Sequence, residues 1–398
     1  MILNRSLSKG KPVRLGVIGL GRGFMLMLAA FDAHPGIQLT AACAPRAQSR
    51  DAFVARYPGA FTTDSVAALC ARSDVDAVYI ATPHQMHRDH ILCAAAAGKH
   101  LLVDKPLAID MADADDIVAA VAQAGVHLIV GPSHSFDEPV RHAAALLRGG
   151  GLGKPRQIQA LNYTDFLYRP RRPEELVTAR GGGVVFSQAA HQVDVVRLLA
   201  GCAATAVYAH TGNWDRGRST EGAYTAMIHF GDSCCATLTY SGYAHFDSDE
   251  WMDWVGELGH RKSPKDYGRA RRLLDGVTSP ADEAALKMTR SFGSAPEPDI
   301  PEHHEHFGPI VVSTEQADLR LTATGVWIYG NNGKRFEPVA QRASPRAAVL
   351  DALFAAVRDK HPALQTAAWG RASLEICHAI LGSARTGQPI RLQHQDIG

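Results

Sequence analysis

Two segments of the sequence carry side chains that could exchange a proton with a bound molecule. Residues 98–106 (GKHLLVDKP) form an apolar strand pattern that ends at Lys105, and a proline follows it. Residues 181–194 (GGGVVFSQAAHQVD) are a glycine run that leads into a helix carrying His191. Histidine titrates near neutral pH, which suits general acid–base catalysis. Each residue also has an ordinary alternative, because Lys105 could be a solvated lysine and His191 a core histidine.

The predicted helix that carries His191 presents other polar groups. Ser187 and His191 are four residues apart and therefore share one face, and Asp194 follows about one turn later. A carboxylate beside an imidazole can fix its tautomer. We therefore expect Asp194 to orient His191.

Residues 14–23 (RLGVIGLGRG) form an apolar strand pattern that enters a glycine-rich turn. In such a turn Gly19 allows the tight bend, and Gly21 removes the Cβ that would block a pyrophosphate. The backbone N–H groups around Arg22, at the start of the next helix, then point at the negative charge. Phe24 replaces the third glycine of the usual pattern, which alters helix–strand packing more than phosphate access. The turn predicts a dinucleotide-binding site.

The end of the second strand bears on the choice of dinucleotide. An acidic residue usually binds the ribose hydroxyls there, but residues 43–46 (CAPR) contain no carboxylate. Ala44 would not repel a 2′-phosphate, and Arg46 could pair with one. The sequence therefore favours NADP over NAD, although this preference disappears if Arg46 stacks on the adenine or faces solvent.

Short β-rich runs alternate with helical stretches over the first third of the chain. The predicted strands are residues 14–19, 38–43, 77–81, 100–104 and 127–130, and the predicted helices are residues 24–33, 47–56, 87–97 and 111–124. Alternation at this spacing indicates a doubly wound parallel sheet of the Rossmann type. We predict such an α/β dinucleotide-binding domain over residues 1–134.

Beyond residue 134 the pattern changes to consecutive strands. Helices are predicted at residues 138–148, 184–200, 346–360 and 369–386, and strands at residues 157–163, 223–230, 234–240, 326–329 and 335–338. Gly231-Asp232 and residues 331–333 (NNG) indicate hairpin turns. Residues 259–308 are polar and Pro-rich and are interpreted as an excursion from the sheet. We predict an α+β domain over residues 135–398, with a large, mostly antiparallel open sheet.

Several motifs occur together in an order typical of one enzyme family. They are residues 19–22, 81–87, 98–106, 181–194, 368–374 and 383–387. With them the chain resembles, over nearly its whole length, the glucose–fructose oxidoreductase / inositol dehydrogenase / MocA family. The resemblance implies a nicotinamide-dependent dehydrogenase with Lys105 and His191 as the catalytic pair. It also implies that Thr82, Pro83 and His84, together with Lys105, border the nicotinamide.

Two positions depart from the family pattern. Ser187 stands where the family usually has an aspartate that helps to hold a sugar hydroxyl, and Asp104 replaces the commoner glutamate before the lysine. The first change argues against a sugar substrate.

Within the family, the sequence is similar to dehydrogenases of phthalate dihydrodiols. The similar stretches are residues 159–176, 186–194 and 306–313. A phthalate carries two adjacent carboxylates, which guanidinium groups bind in a bidentate fork. Of Arg169, Arg171 and Arg172, which precede the glycine run, we expect one or two to contact the ligand. We select Arg169 and Arg172, with Ser187 and Gln188, as substrate-binding candidates.

The hypothesis is therefore oxidation of one ring carbinol of a 4,5-dihydro-4,5-dihydroxyphthalate-type dihydrodiol, with hydride transfer to nicotinamide, in aromatic catabolism. The first alternative is a family member that acts on a sugar, inositol or another polyol. The second is a non-catalytic dinucleotide-binding regulator. The arginine-rich loop could also be a solvated loop that pairs with Glu174 and Glu175.

Two charged segments receive no catalytic role. Residues 301–306 (PEHHEH) place Glu302 and His306 at helical spacing, but that spacing aligns metal ligands only on a helix, so we predict no metal. The basic run at residues 260–272 is interpreted as an exposed face, with a lid that recruits anionic substrate as the alternative.

Composition limits the classes of partner. The 398 residues include 41 basic and 40 acidic side chains, so no long-range field favours nucleic acid or an anionic membrane. No segment has the apolar length of a membrane span or signal peptide. The seven cysteines lack paired spacing, which predicts reduced thiols. Together these features predict a cytoplasmic location. The uncovered face of an open sheet predicts a homo-dimer or homo-tetramer.

Overall fold

The structure is a computed structural model that describes residues 10–231, 234–297 and 299–395. Residues 1–9 lie outside these ranges, as does Asp232 of the predicted hairpin turn. All seven cysteines are described, and all are free thiols. Among the described helices, none combines the length and apolarity needed to cross a bilayer.

Six parallel strands form the first sheet, in agreement with the predicted doubly wound architecture. The strands are β1 (Val13–Ile18), β2 (Ile37–Cys43), β3 (Phe61–Thr63), β4 (Ala77–Ile80), β5 (His100–Val103) and β6 (Leu128–Val130). The helices are α1 (Arg22–Ala33), α2 (Ala47–Arg56), α3 (Val66–Cys70), α4 (His87–Ala96) and α5 (Met111–Ala124). The pattern missed β3 and α3, because elements of three and five residues are too short to show a period.

The strand order of the first sheet is β3-β2-β1-β4-β5-β6, so the chain changes direction between β1 and β4. In open α/β sheets the carboxyl ends of the strands at such a point form a ligand crevice. Gly19 follows β1, Thr82 follows β4 and Lys105 follows β5, which places three predicted site segments at this edge.

The second sheet contains nine strands, and its order is β14-β13-β12-β11-β7-β10-β9-β8-β15. The strands are β7 (Pro155–Tyr163), β8 (Ala204–Gly212), β9 (Ala223–Phe230), β10 (Cys234–Ser241), β11 (Ile310–Thr314), β12 (Ala317–Thr322), β13 (Gly325–Gly330), β14 (Gly333–Pro338) and β15 (Ile390–Arg391). The predicted pairs β9–β10 and β13–β14 are antiparallel, whereas β7 and β10 are parallel. The sheet is mostly antiparallel, as predicted, but β8, β11, β12 and β15 were not predicted.

Helices in the second half are α6 (Glu138–Arg148), α7 (Ala190–Ala200), α8 (Arg269–Leu273), α9 (Pro280–Met288), α10 (Ala347–Arg358) and α11 (Ala367–Thr386). The helix predicted from residue 184 begins instead with a π-helical turn, Val185–Ala189, which continues directly into α7. The short helices α8 and α9 lie in the excursion that joins β10 to β11.

The last two helices pack against elements from both halves of the chain. Leu350, Leu353 and Phe354 of α10 are fully buried in one hydrophobic cluster with residues of β1 and α1. Helix α11 contacts α5 of the first half and β8 of the second. Helices α10 and α11 therefore join the two halves of the chain, and the domain boundary at residue 134 stays a prediction.

Candidate active site

A cleft with a volume of about 730 Å³ opens at the carboxyl edge of the first sheet. One wall carries Arg22, Lys105 and His134, from the segments that directly follow β1, β5 and β6. The start of α7, the loop after β7 and the excursion supply the other walls. The cleft therefore gathers side chains that lie more than 150 residues apart in sequence.

Lys105 lies at the floor of this cleft. Its Nζ donates a hydrogen bond to the carbonyl oxygen of Ser187 at 2.5 Å, which links the end of β5 to the π-helical turn before α7. Burial lowers the pKa of Lys105 to about 8, although the carboxylate of Asp104 opposes this shift. The fully buried ring of His87 contacts the carbonyl oxygens of Thr82 and Pro106, each at 2.9 Å, and so joins the loop after β4 to the residue that follows the lysine.

His191 lines the same cleft, so the structure brings together the two residues chosen as the catalytic pair. Its ring packs edge-on against His134, with centroids 4.7 Å apart, and against Phe307 at 5.0 Å. Burial, followed by the positive charge of Lys105, lowers the pKa of His191 well below its ordinary value. Its Nδ1 is buried and has no hydrogen-bond partner among the described residues. The imidazole is therefore neutral at physiological pH and able to accept a proton.

The expectation that Asp194 orients His191 is wrong. One carboxylate oxygen of Asp194 accepts from the hydroxyl of Ser133, and the other accepts from the indole N–H of Trp369, each at 2.5 Å. The periodicity of the helix predicted that His191 and Asp194 are near each other, but only tertiary packing decides where a carboxylate points. Asp194 instead connects α7 to the loop after β6 and to α11.

The glycine-rich turn has the geometry that a dinucleotide pyrophosphate requires. Gly19 has φ +100°, and a Cβ built on it would lie 2.7 Å from the carbonyl oxygen of Ala81. A Cβ on Gly21 would meet no protein atom within 4 Å, so the space beside the N-terminus of α1 is open. No side chain caps that terminus, which leaves its N–H groups for a ligand. Phe24 is fully buried and stacks on Phe31.

The other predicted cofactor residues lie at the same edge of the sheet. Thr82, Pro83 and His84 directly follow β4, and the Thr82 hydroxyl contacts Nδ1 of His90 at 3.0 Å. Arg46 precedes the first residue of α2 and has no ion pair among the described residues. The guanidinium of Arg50 instead donates to the carbonyls of Ala44 and Pro45, which holds this loop in place.

The predicted substrate arginines separate in the structure. Arg169 lines the cleft, where it donates to Asp165 at 2.7 Å and to Glu257 at 2.9 Å. Arg172 does not line the cleft, and its Nε lies 3.1 Å from Glu174 and 3.4 Å from Glu175. The alternative interpretation, a solvated loop, predicted this pairing with Glu174 and Glu175.

Arg171 occupies the place in the cleft wall that was expected for Arg172. Its guanidinium lies 3.5 Å above the ring of Phe166 and donates to the carbonyl of the same residue. The Nε is buried and has no hydrogen-bond partner among the described residues. Burial lowers the pKa of Arg171 to about 10. An incoming anion would accept a hydrogen bond from this Nε and would stabilise the positive charge of the guanidinium.

The π-helical turn contributes a different set of groups from the one expected. The side chain of Gln188 lines the cleft, whereas that of Ser187 does not, and the contribution of Ser187 is the carbonyl that binds Lys105. Such wide turns inside helices are frequent at functional sites. The hydroxyl of Tyr240 donates a hydrogen bond to Oε1 of Gln188 at 3.3 Å.

Sequence reasoning missed two buried pairs in the cleft. His134 and Asp137 are joined at 2.7 Å, and Arg346 donates to Glu305 at 2.9 Å. The carboxylate of Asp137 raises the pKa of His134 although burial opposes the shift. His134 could have been found, because it follows β6 just as Lys105 follows β5. The sequence around residues 305 and 346 contains no local pattern that predicts their pairing.

The charged excursion forms a wall of the cleft. His306 accepts from the N–H of Gly308 and donates to the carbonyl of Val255, so backbone groups occupy both its ring nitrogens. Over the described ranges, no group of three or more His, Cys, Asp or Glu side chains is arranged to hold a metal ion. From the basic run, His260, Lys262 and Arg269 line the cleft.

These features define a class of protein. A parallel sheet with an open glycine turn at its crossover point binds a dinucleotide, and a lysine and a neutral histidine beside that edge can handle the proton that accompanies hydride transfer. The fold and the cleft are those of a dinucleotide-dependent oxidoreductase.

Comparison with family models agrees. Residues 13–132 match the GFO/IDH/MocA oxidoreductase family with an NAD-binding Rossmann fold, and residues 140–261 match the GFO/IDH/MocA C-terminal domain. The chain belongs to this family, and it is an NAD(P)-dependent dehydrogenase.

Individual relatives support the same assignment. The chain is 43% identical over 373 residues to the 1-carboxy-3-chloro-3,4-dihydroxycyclohexa-1,5-diene dehydrogenase of Comamonas testosteroni, covering 93% of this chain and 94% of the relative. The solved structure of a putative dehydrogenase from Bordetella bronchiseptica RB50 superimposes with a TM-score of 0.91 at 40% identity, covering 96% of this chain and all of that one. At 20% identity, the WlbA dehydrogenase of Bordetella pertussis, solved with NADH and UDP-GlcNAcA, shares the fold over 96% of this chain and 99% of that one (TM-score 0.66).

Gly21 provides a test of the dinucleotide site. Substitution Gly21→Val should change the thermal midpoint little, because a Cβ at this position meets no protein atom within 4 Å, yet raise the dissociation constant for NAD(P)H at least ~10-fold by filling the pyrophosphate space. Titration of nicotinamide fluorescence measures this affinity.

Two matched glycine variants complete the Gly21 experiment. Gly151→Val adds a side chain at another open position and should change neither quantity, whereas Gly19→Ala should lower the thermal midpoint. Unchanged affinity in a folded Gly21→Val protein would place the dinucleotide elsewhere.

Proposed function

We propose that this protein oxidises one ring carbinol of a carboxylated cyclohexadiene dihydrodiol, of the 4,5-dihydro-4,5-dihydroxyphthalate type, in the breakdown of aromatic compounds. The observation that carries the proposal is the position of Arg171 in the same cleft as Lys105 and His191. A guanidinium without a carboxylate partner, in the same cleft as a proton-transfer pair, suits a substrate that is both an alcohol and a carboxylate.

The chemistry follows from the state of each side chain. When bound, the nicotinamide supplies the acceptor for the hydride that leaves the carbinol carbon. Neutral His191 takes the hydroxyl proton, and the ammonium of Lys105 stabilises the alkoxide charge that develops on the oxygen. The carbinol becomes a ketone, and the resulting enone tautomerises to a catechol, so aromaticity drives the reaction forward.

Recognition of the carboxylate rests on burial and charge. Arg169 already binds two carboxylates, whereas Arg171 has only a carbonyl and an aromatic face as partners. A partly buried guanidinium that lacks a carboxylate gains most from an anionic ligand. We therefore assign the main carboxylate contact to Arg171, with Arg169 and Gln188 beside it, and not to Arg172.

The C. testosteroni relative, by its name, acts on a cyclohexadiene diol that carries one carboxyl group and one chlorine. That relationship supports a carboxylated dihydrodiol over a neutral sugar or polyol, as does Ser187 in the place of the family aspartate. The cleft also argues against a non-catalytic regulator, because such a protein needs neither the lysine nor the histidine.

Two finer points belong to the same proposal. NADP is the preferred dinucleotide, because Arg46 and the absence of a carboxylate after β2 suit a 2′-phosphate.

Self-association occurs through the uncovered face of the second sheet, where Tyr208 and Met227 pair across neighbouring strands and are 51% and 40% exposed. Apolar groups on an exposed sheet face favour a second protein surface.

A substrate panel with arginine variants tests the substrate class. The carboxylated dihydrodiol should be turned over and neutral polyols should not, and Arg171→Met should lower kcat/KM about 10–100-fold by removing a charge-assisted contact. The neighbouring Arg172→Met serves as the matched control and should change kcat/KM less than twofold. A loss in Arg172→Met alone would reverse our assignment, and preferential turnover of neutral polyols would overturn the substrate class.

Lys105→Met tests the catalytic pair. The substitution preserves most of the side-chain volume but removes the charge that stabilises the alkoxide, so kcat should fall at least ~100-fold. The dissociation constant for NAD(P)H should stay within about twofold of the native value. Retention of most activity would remove Lys105 from the mechanism.

The pH dependence separates the roles of the two residues. Burial holds the pKa of His191 well below its ordinary value, so the imidazole is neutral around pH 7, and Lys105 is an ammonium below a pKa of about 8. Initial rates of dihydrodiol oxidation should therefore be flat between about pH 6 and 7.5 and fall as pH rises through 8. A rate that instead rises through pH 8 would identify neutral Lys105 as the base.

A further inference from the structure

Most cations that line the cleft have a carboxylate partner. The pairs are Arg169 with Asp165 and Glu257, Lys262 with Asp247 and Asp249, Lys287 with Glu175, Arg342 with Glu138, and Arg346 with Glu305. Within the described ranges, Arg22 and Arg290 line the cleft without any ion pair. Desolvation, followed by the charge of Arg290, lowers the pKa of Arg22 to about 10. Two neighbouring unpaired guanidinium groups indicate a place for a multiply charged anion.

The packing of the excursion explains how Arg290 reaches α1. After α9 the chain crosses to the first half of the molecule, where the buried ring of Phe292 packs edge-on against Phe24 at 5.1 Å. The carbonyl of Phe292 accepts from the hydroxyl of Ser49 at 3.2 Å, and that of Gly293 accepts from Gln48 at 3.3 Å. Residues 290–297, here called the strap, thus lie across α1 and α2.

The strap is anchored on the two helices that border a Rossmann dinucleotide site. Phe24 is the third residue of α1, and Arg22 is its first. Arg290 lies two residues before Phe292, and the cleft wall contains Arg22, Gly23 and Arg290 together. One unpaired guanidinium, that of Arg22, therefore belongs to the first residue of α1, next to the open space at Gly21, and the other, that of Arg290, lies in the same cleft.

We propose that the strap completes the dinucleotide site and that Arg290, supplied by the excursion of the second sheet, binds the pyrophosphate together with Arg22. The two guanidinium groups match the two negative charges of a pyrophosphate, and the N–H groups of α1 contribute further donors. The excursion thereby acts on the cofactor as well as on the substrate wall. This inference concerns dinucleotide binding alone and does not depend on which carbinol is oxidised.

The alternative position for Arg290 is the substrate wall, because α9 directly precedes it. Lys287 on α9 pairs with Glu175, and Glu283 on α9 accepts the backbone N–H of Arg171 at 2.8 Å. These contacts are made by α9 itself. Arg290 itself is also near Arg169 and Asp165 of that wall, because their charges act on its pKa after desolvation has lowered it. The chain beyond α9 is anchored on α1 and α2, and this anchoring favours the dinucleotide.

Binding of reduced dinucleotides to Arg290→Met, without substrate, tests the proposal. The dissociation constants of NADH and NADPH, from nicotinamide fluorescence, should both rise about tenfold or more, by the same factor, because both carry the pyrophosphate. Arg290→Lys retains a charge and should recover part of the loss. Arg269→Met removes another cleft-lining cation, whose side chain is 77% exposed, and should leave both constants unchanged.

Three results would overturn the inference. Weaker binding of NADPH alone would assign Arg290 to the 2′-phosphate. Unchanged affinity for both dinucleotides, with a raised KM for substrate, would assign it to the substrate wall. An equal loss in Arg269→Met would show a general effect of positive charge. Thermal midpoints within about 2 °C of native confirm that each variant is folded, and a wrong substrate class would alter none of these measurements.

Discussion

The hydrogen bond from Lys105 Nζ to the carbonyl of Ser187 is the contact on which the arrangement of this enzyme depends. It joins the end of a strand in the first sheet to the π-helical turn that starts α7, and so fixes the distance between the lysine and His191. A buried ammonium needs acceptors, and a carbonyl in a wide helical turn provides one without adding a negative charge. The lysine is thereby held in place while its pKa stays low.

Burial of positive charge is the second constraint. Arg171, Arg22 and Arg290 enter the cleft without carboxylate partners, whereas the other cleft arginines are paired. An unpaired partly buried cation is costly for a folded protein unless a ligand offsets it. We therefore propose that the unpaired positions bind the anionic parts of the cofactor and substrate, since perturbed ionisable groups cluster at functional sites.

The long excursion between β10 and β11 connects the two halves of the molecule. Helix α10 and the strap both pack on α1, although they come from the second half of the chain. The same excursion carries α9, which holds the backbone of Arg171 through Glu283. One segment thus contacts the proposed binding sites of both reactants.

The sequence by itself determined the alternating strands and helices of the first sheet, the glycine turn and the two segments that carry Lys105 and His191, because these depend on local periodicity and on backbone freedom at glycine. Only the tertiary structure decided which side chains meet. It directed Asp194 to Trp369 rather than to His191, placed Arg171 instead of its neighbour in the cleft, and brought the strap onto α1. Local patterns fix the face of an element on which a residue lies, whereas partners distant in the chain are chosen by packing and by the need to pair buried polar groups.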